Sequence, residues 1–146
     1  MITFFHSRWE LKSKILSTLA SGTSIICDRY AFSGVAYTSA KPGFSLNWCM
    51  GPDRGLPKPD RVLFLKASEK LAKSRSDYGT ERYEKREFQN KVAEMFEKIR
   101  AQDDSLTWTD YTVEAGIDQV TDELFGTLKE TLNAELHKEI GKLWSE

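Results

Sequence analysis

Two short apolar runs, Ser24–Cys27 and Arg61–Leu65, most constrain the fold of this chain. Neither alternates polar with apolar residues, so neither suits a strand with one wet face. Each reads as a strand buried on both sides, and Leu106–Tyr111 reads as a third, weaker one. Between them lie segments with helical spacing: Leu11, Ile15, Leu16 and Leu19, stopped by Ser21-Gly22; Phe88, Val92, Met95, Phe96 and Ile99; and Ile117, Val120, Leu124, Leu128 and Leu132. Strands alternating with helices predict an α/β protein with a parallel sheet between helical layers. Residues 42–60 hold all four prolines and read as a loop-rich crossover.

The 146 residues fit a single domain, 1–146. With 40% hydrophobic and 29% charged residues, the chain is globular in composition rather than disordered. A net charge of −1 supplies no bulk attraction to nucleic acid or to an anionic membrane. No stretch is long enough to span a bilayer, and MITFF lacks the basic flank of a signal sequence. Cys27 and Cys49 are expected as reduced thiols in or near the core, and His6 and His137 are too far apart to suggest metal spacing. A cytoplasmic setting follows, with nucleus or mitochondrion open.

The chemistry concentrates at the end of the first apolar run. In a parallel sheet, ligands bind beyond the carboxyl ends of strands, and Asp28-Arg29 stand at such an end. A carboxylate there can hold Mg²⁺ through water, and a guanidinium can fork onto a phosphate. Ser33-Gly34 would let a ligand approach the backbone closely. On composition alone, a surface ion pair before an ordinary helix accounts for the same residues.

The order of residues decides between these readings. CDRYAFSGVAYTSAK at 27–41 resembles the thymidylate kinase motif DRY-x-x-SG-x-A-[FY]. RWE at Arg8–Glu10, GLPKPD at Gly55–Asp60, YGTERYE at Tyr78–Glu84 and GKLW at Gly141–Trp144 follow in that family's order. The resemblance covers about residues 8–146 and is eukaryotic in type. It implies a P-loop nucleoside triphosphate hydrolase-type three-layer fold and transfer of phosphate from ATP to dTMP, with Mg²⁺.

It also implies roles for particular residues. Arg8 resembles the arginine on the thymine base, and Phe4 the aromatic stacked on it, with Phe5 as the competing register. Asp28 resembles the Mg²⁺-linked carboxylate, and Arg29 the arginine on the dTMP phosphate, so both are catalytic candidates. Ser33 and Gly34 line the nucleoside pocket, and Tyr37 crowds the sugar's 2′ face. Tyr83 and Gln89 match positions that touch dTMP. Residues 73–87, with Arg75, Arg82 and Glu84, resemble a mobile lid over the transferring phosphoryl group. A homodimer is implied as well.

Two departures accompany the resemblance. The phosphate loop G-x-x-x-x-G-K-[ST] does not occur in these 146 residues: Gly141 alone among the glycines precedes a lysine, and Leu143 follows. The family carries that loop on a first strand, together with a second-strand arginine on the dTMP phosphate. The sequence is therefore expected to begin inside the family's fold, to be a poor catalyst as it stands, and to leave its strands with open edges. Where the family reads V-D-A-S near the adenine, this chain reads Tyr111-Thr112-Val113-Glu114. The rival readings are another deoxynucleotide kinase and a non-catalytic dTMP-binding or dimer-partner protein.

Overall fold

The computed structural model describes residues 3–67, 82–113, 117–135 and 139–145, with side chains for 8–66, 86–113, 118–134 and 139–145. These residues fall into two compact units.

The first unit comprises residues 1–58, 84–103 and 140–146. Helix α1 runs Thr3–Ala20. It stops where the periodicity predicts, because Gly22 takes φ +81. Gly22 N–H then donates to Leu19 O (2.9 Å) and Thr23 N–H to Thr18 O (3.2 Å). This double bond to the last turn satisfies carbonyls that the helix itself leaves open.

Helix α2, Ala31–Ser39, is short and buried on most sides, with Ala31, Phe32, Val35 and Ala36 all in the core. It packs on α3, Leu46–Met50, which opens with Ser45 accepting a hydrogen bond from Trp48 N–H (3.3 Å). A 3₁₀ turn, Gly51–Asp53, follows directly. Helix α4, Arg82–Arg100, presents Val92 and Ile99 inward and carries the exposed pairs Glu87–Lys91 and Glu94–Lys98 outward. These i,i+4 pairs run in the favourable direction, and solvent and salt screen them at such exposed positions. Only Glu84–Arg100 of this helix belong to the first unit.

Residues 140–144 close the first unit. Leu143 N–H donates to Leu56 O (2.8 Å), Gly55 N–H to Leu143 O (2.9 Å) and Lys58 N–H to Gly141 O (2.9 Å). Leu56 and Leu143 are both fully buried beneath this antiparallel clasp. Burying two leucines contributes on the order of 2 kcal/mol each. The Trp144 ring stands edge-on to Phe32 of α2 at 5.7 Å.

The second unit, residues 59–83 and 104–139, holds the sheet. Strand β1, Arg61–Ala67, pairs in parallel with β2, Thr107–Val113, in the register Arg61↔Thr107 to Ala67↔Val113. Helix α5, Ile117–Glu135, is tied to β2 by the hydroxyls of Tyr111 and Thr127. The parallel pairing is the sheet type expected for a P-loop kinase-type fold.

The expected strand at Ser24–Cys27 is a correction. These residues form no strand, and Ile25 and Ile26 are 41% and 79% exposed. A strand requires a neighbouring backbone to bond with, and the sheet among the described residues contains β1 and β2 alone. Cys27 is consequently exposed rather than part of the core, whereas Cys49 is buried as expected.

Candidate functional site

The site is built where α1, α2 and the 51–58 loop of the first unit meet. Arg8 on α1 donates from Nε to Asp53 Oδ1 (2.9 Å) and from Nη2 to Asp53 Oδ2 (2.8 Å). This is a bidentate fork, the strongest geometry open to such a pair. The Asp53 side chain is completely buried and that of Arg8 is 13% exposed. Burial pushes the Asp53 carboxyl above its ordinary value, and the hydrogen bond and charge of Arg8 pull it back down. The next residue, Trp9, donates Nε1–H to Pro52 O at 2.7 Å. Two successive residues of the RWE motif therefore grip two successive residues of the loop.

Gly34 of α2 lies against the same guanidinium, where a Cβ would stand 3.7 Å from Arg8 Nη2. Ser33, beside it, is half-buried. The structure thus brings Arg8, Ser33 and Gly34 to one place, although they come from motifs well apart in sequence. Tyr30 anchors the entry to α2 by donating its hydroxyl to Pro57 O (3.1 Å). Its phenol is pushed up to about 12, first by burial, then by the neighbouring Cys27 and Asp53, with Arg8 opposing. Tyr37, at the far end of α2, is 39% exposed and meets Phe88 of α4 edge-on at 6.2 Å. Gln89, next to Phe88, is exposed.

Asp28 and Arg29 are both exposed and join the irregular segment to α2. Arg29 adopts φ +58, the left-handed region. For a residue with a Cβ this costs about 1–2 kcal/mol. Glycine would remove that strain. Among the described residues no three His, Cys, Asp or Glu side chains gather as a metal cluster. A Mg²⁺ held through one carboxylate, water and substrate phosphates does not need such a cluster, and the exposed Asp28 suits that mode.

Several expected residues lie outside the described side chains. Phe4 and Phe5 are placed by backbone alone within α1, and Arg82, Tyr83 and Glu84 likewise at the start of α4. Arg75, most of the 73–87 segment and Glu114 lie outside the described residues altogether.

Sequence reasoning missed Asp53. The available signal was an acidic residue just before GLPKPD, inside a proline- and glycine-rich loop, where acids ordinarily serve turns. It also missed the contact of Arg54 with Asn47 and with the Trp144 carbonyl (3.5 Å), which links the loop to the clasp.

Comparison with known proteins gives the chain its family. The sequence profile described as thymidylate kinase matches residues 1–124. The thymidylate kinase of Danio rerio is 42% identical over 143 residues, which cover 98% of this chain and 67% of that protein. The human thymidylate kinase is 38% identical with the same coverage. A solved structure of thymidylate kinase from Candida albicans superposes with a TM-score of 0.75 at 35% identity, covering 97% of this chain and 70% of that one. The chain thus spans about two thirds of the length of these curated relatives. No helix among the described residues is long and apolar enough to cross a membrane. The chain belongs to the thymidylate kinase family, kinases of P-loop type that phosphorylate dTMP to dTDP.

Proposed function

We propose that the protein acts on dTMP through two ends of one site, with ATP as phosphoryl donor. Arg8, Ser33, Gly34 and Tyr37 serve the nucleoside end. Asp28 and Arg29 serve the phosphate end; by resemblance Tyr83 and Gln89 touch dTMP, and Arg75, Arg82 and Glu84 belong to the lid. The observation that carries this reading is the meeting of Arg8 with Gly34, two resemblance motifs placed in contact by the fold.

The chain's own residues have distinct tasks. Arg8, a donor-only group, faces a base carbonyl. The Tyr37 ring, steadied by Phe88, fills the space a 2′-hydroxyl would take. Arg29 forks onto the 5′-phosphate and orients it. Asp28 would hold Mg²⁺ through water; when bound, that ion neutralises charge on the phosphate oxygens. The family resemblance supports a homodimer and a cytoplasmic setting.

The test compares the 146-residue chain with the same chain joined to a family-type amino-terminal segment that carries a phosphate loop. The joined chain is expected to form ADP in a dTMP- and Mg²⁺-dependent manner, and the chain alone at less than about a thousandth of that rate, since catalysis here rests on phosphate positioning. In the joined chain, Asp28→Ala should lower kcat far more than it weakens dTMP binding. A joined chain without dTMP-dependent turnover would overturn the proposal. The lack of a phosphate loop in these 146 residues favours one second reading, a dTMP-binding partner of an intact kinase. That reading requires dTMP binding without turnover in the joined chain.

A further inference from the structure

The Arg8–Asp53 pair is more tightly made than stability alone calls for. A buried ion pair gains little over two apolar side chains of similar size, because desolvation offsets most of its attraction. What it does supply is geometry. An arginine side chain has many rotamers, and its planar head can face several ways. Here Asp53 takes the Nε–Nη2 edge with both oxygens. Asp53 itself sits in a 3₁₀ turn with Pro52 beside it, and Trp9 fixes the Pro52 carbonyl. Gly34 lies where the guanidinium meets α2, within 3.7 Å of Nη2 for any added Cβ. The plane of the guanidinium is therefore set from one edge by a fully buried carboxylate.

We infer that Asp53 is a positioning residue for base selection: it fixes the plane of Arg8 so that the guanidinium donates to a pyrimidine carbonyl and leaves an exocyclic amine at the same position unpaired. The inference rests on the reading of Arg8 as the base-facing arginine. Both groups would then be donors when the base carries an amine, and neither hydrogen bond could form. A loosely held arginine would swing away from the amine and lose this discrimination. Asp53 supplies the rigidity, and Arg8 the contact.

The experiment measures the preference for dTMP over dCMP. Affinities come from titration calorimetry on the 146-residue chain, and kcat/KM ratios from the chain joined to the phosphate-loop segment. A ratio does not depend on the fraction of folded protein. Asp53→Asn should lower it at least ~10-fold, towards the value for Arg8→Ala, and should add nothing further in the Arg8→Ala background. Trp9→Phe, at a 41% exposed position, keeps the fold intact and loosens only the turn, so it should lower the ratio by roughly 2–5-fold. If Arg8→Ala lowers the ratio while Asp53→Asn and Trp9→Phe leave it unchanged, Asp53 is structural only and the inference fails. If Asp53→Asn does not fold, Trp9→Phe decides by the same criterion. If Arg8→Ala itself leaves the ratio unchanged, or neither nucleotide binds, the reading of Arg8 fails and the inference fails with it.

Discussion

The two arginines of the candidate site are held in opposite ways. Arg8 is largely buried in a bidentate fork with a fully buried carboxylate, in contact with a loop clasped by residues 140–144. Arg29 is exposed, on backbone in the left-handed region, at the end of a segment that forms no strand. One arginine is held by packing and hydrogen bonds, and the other projects from an exposed turn. The contrast matches the chemistry. Under the proposed roles, reading a neutral base calls for fixed donors, whereas the phosphate end of a kinase is shared with a phosphate loop, of which these 146 residues contain none.

The largest difference should separate the two aspartates. Asp53→Ala strands the Arg8 charge in a buried position and should destabilise the chain by about 3–5 kcal/mol. Asp28→Ala, at an exposed position, should stay within about 0.5 kcal/mol. Denaturant unfolding compares them directly, and similar losses in both would erase the contrast. Next come two apolar residues. Leu143→Ala removes a fully buried side chain of the clasp and should cost about 2–5 kcal/mol. Ile26→Ala, 79% exposed, should be close to neutral. A large loss at Ile26 would mean that its segment is covered in solution.

Smaller effects sharpen the picture at the sugar and at the junction. Tyr37→Ala in the joined chain should narrow the preference for dTMP over its ribose counterpart by about 1–3 kcal/mol, the cost of burying an unpaired hydroxyl. An unchanged ratio would place the discrimination elsewhere. Tyr30→Phe should cost about 1 kcal/mol near neutral pH through the lost bond to Pro57 O. Its larger signature lies in alkali. The folded phenol is raised to about 12 from an ordinary 10.0, so the folded state resists its ionisation. That contribution is complete below pH 10 and is lost as pH rises through about 12. Tyr30→Phe should therefore flatten the alkaline fall in stability, and an unchanged fall would assign it to another group.

Helices and paired strands were legible because their causes are local. The spacing of Leu11 to Leu19 and the Ser21-Gly22 stop sufficed for α1, and the apolar runs at Arg61 and Leu106 sufficed for β1 and β2. The Ser24–Cys27 run misled because a strand depends on its neighbour as much as on its own residues. The motifs located Arg8, Asp28, Arg29 and Gly34, but they did not reveal what holds Arg8. Asp53 is distant in sequence from Arg8, and nothing in a single chain announces which base a buried acid will meet. The GKLW segment was legible as a motif, while its role as the cover of Leu56 became visible only in the fold.

The clasp also sets an order of events during synthesis. Arg54 and the Trp144 carbonyl it reaches are 90 residues apart. At ribosomal speeds of about 5–20 residues per second, the loop bearing Asp53 leaves the ribosome roughly 5–18 s before the residues that cover it. Contacts of such long range also close slowly, because the chain between them must first be brought round. The loop that carries Asp53 can therefore complete its packing only after residues 140–144 have been made, and until then Leu56 lacks its cover.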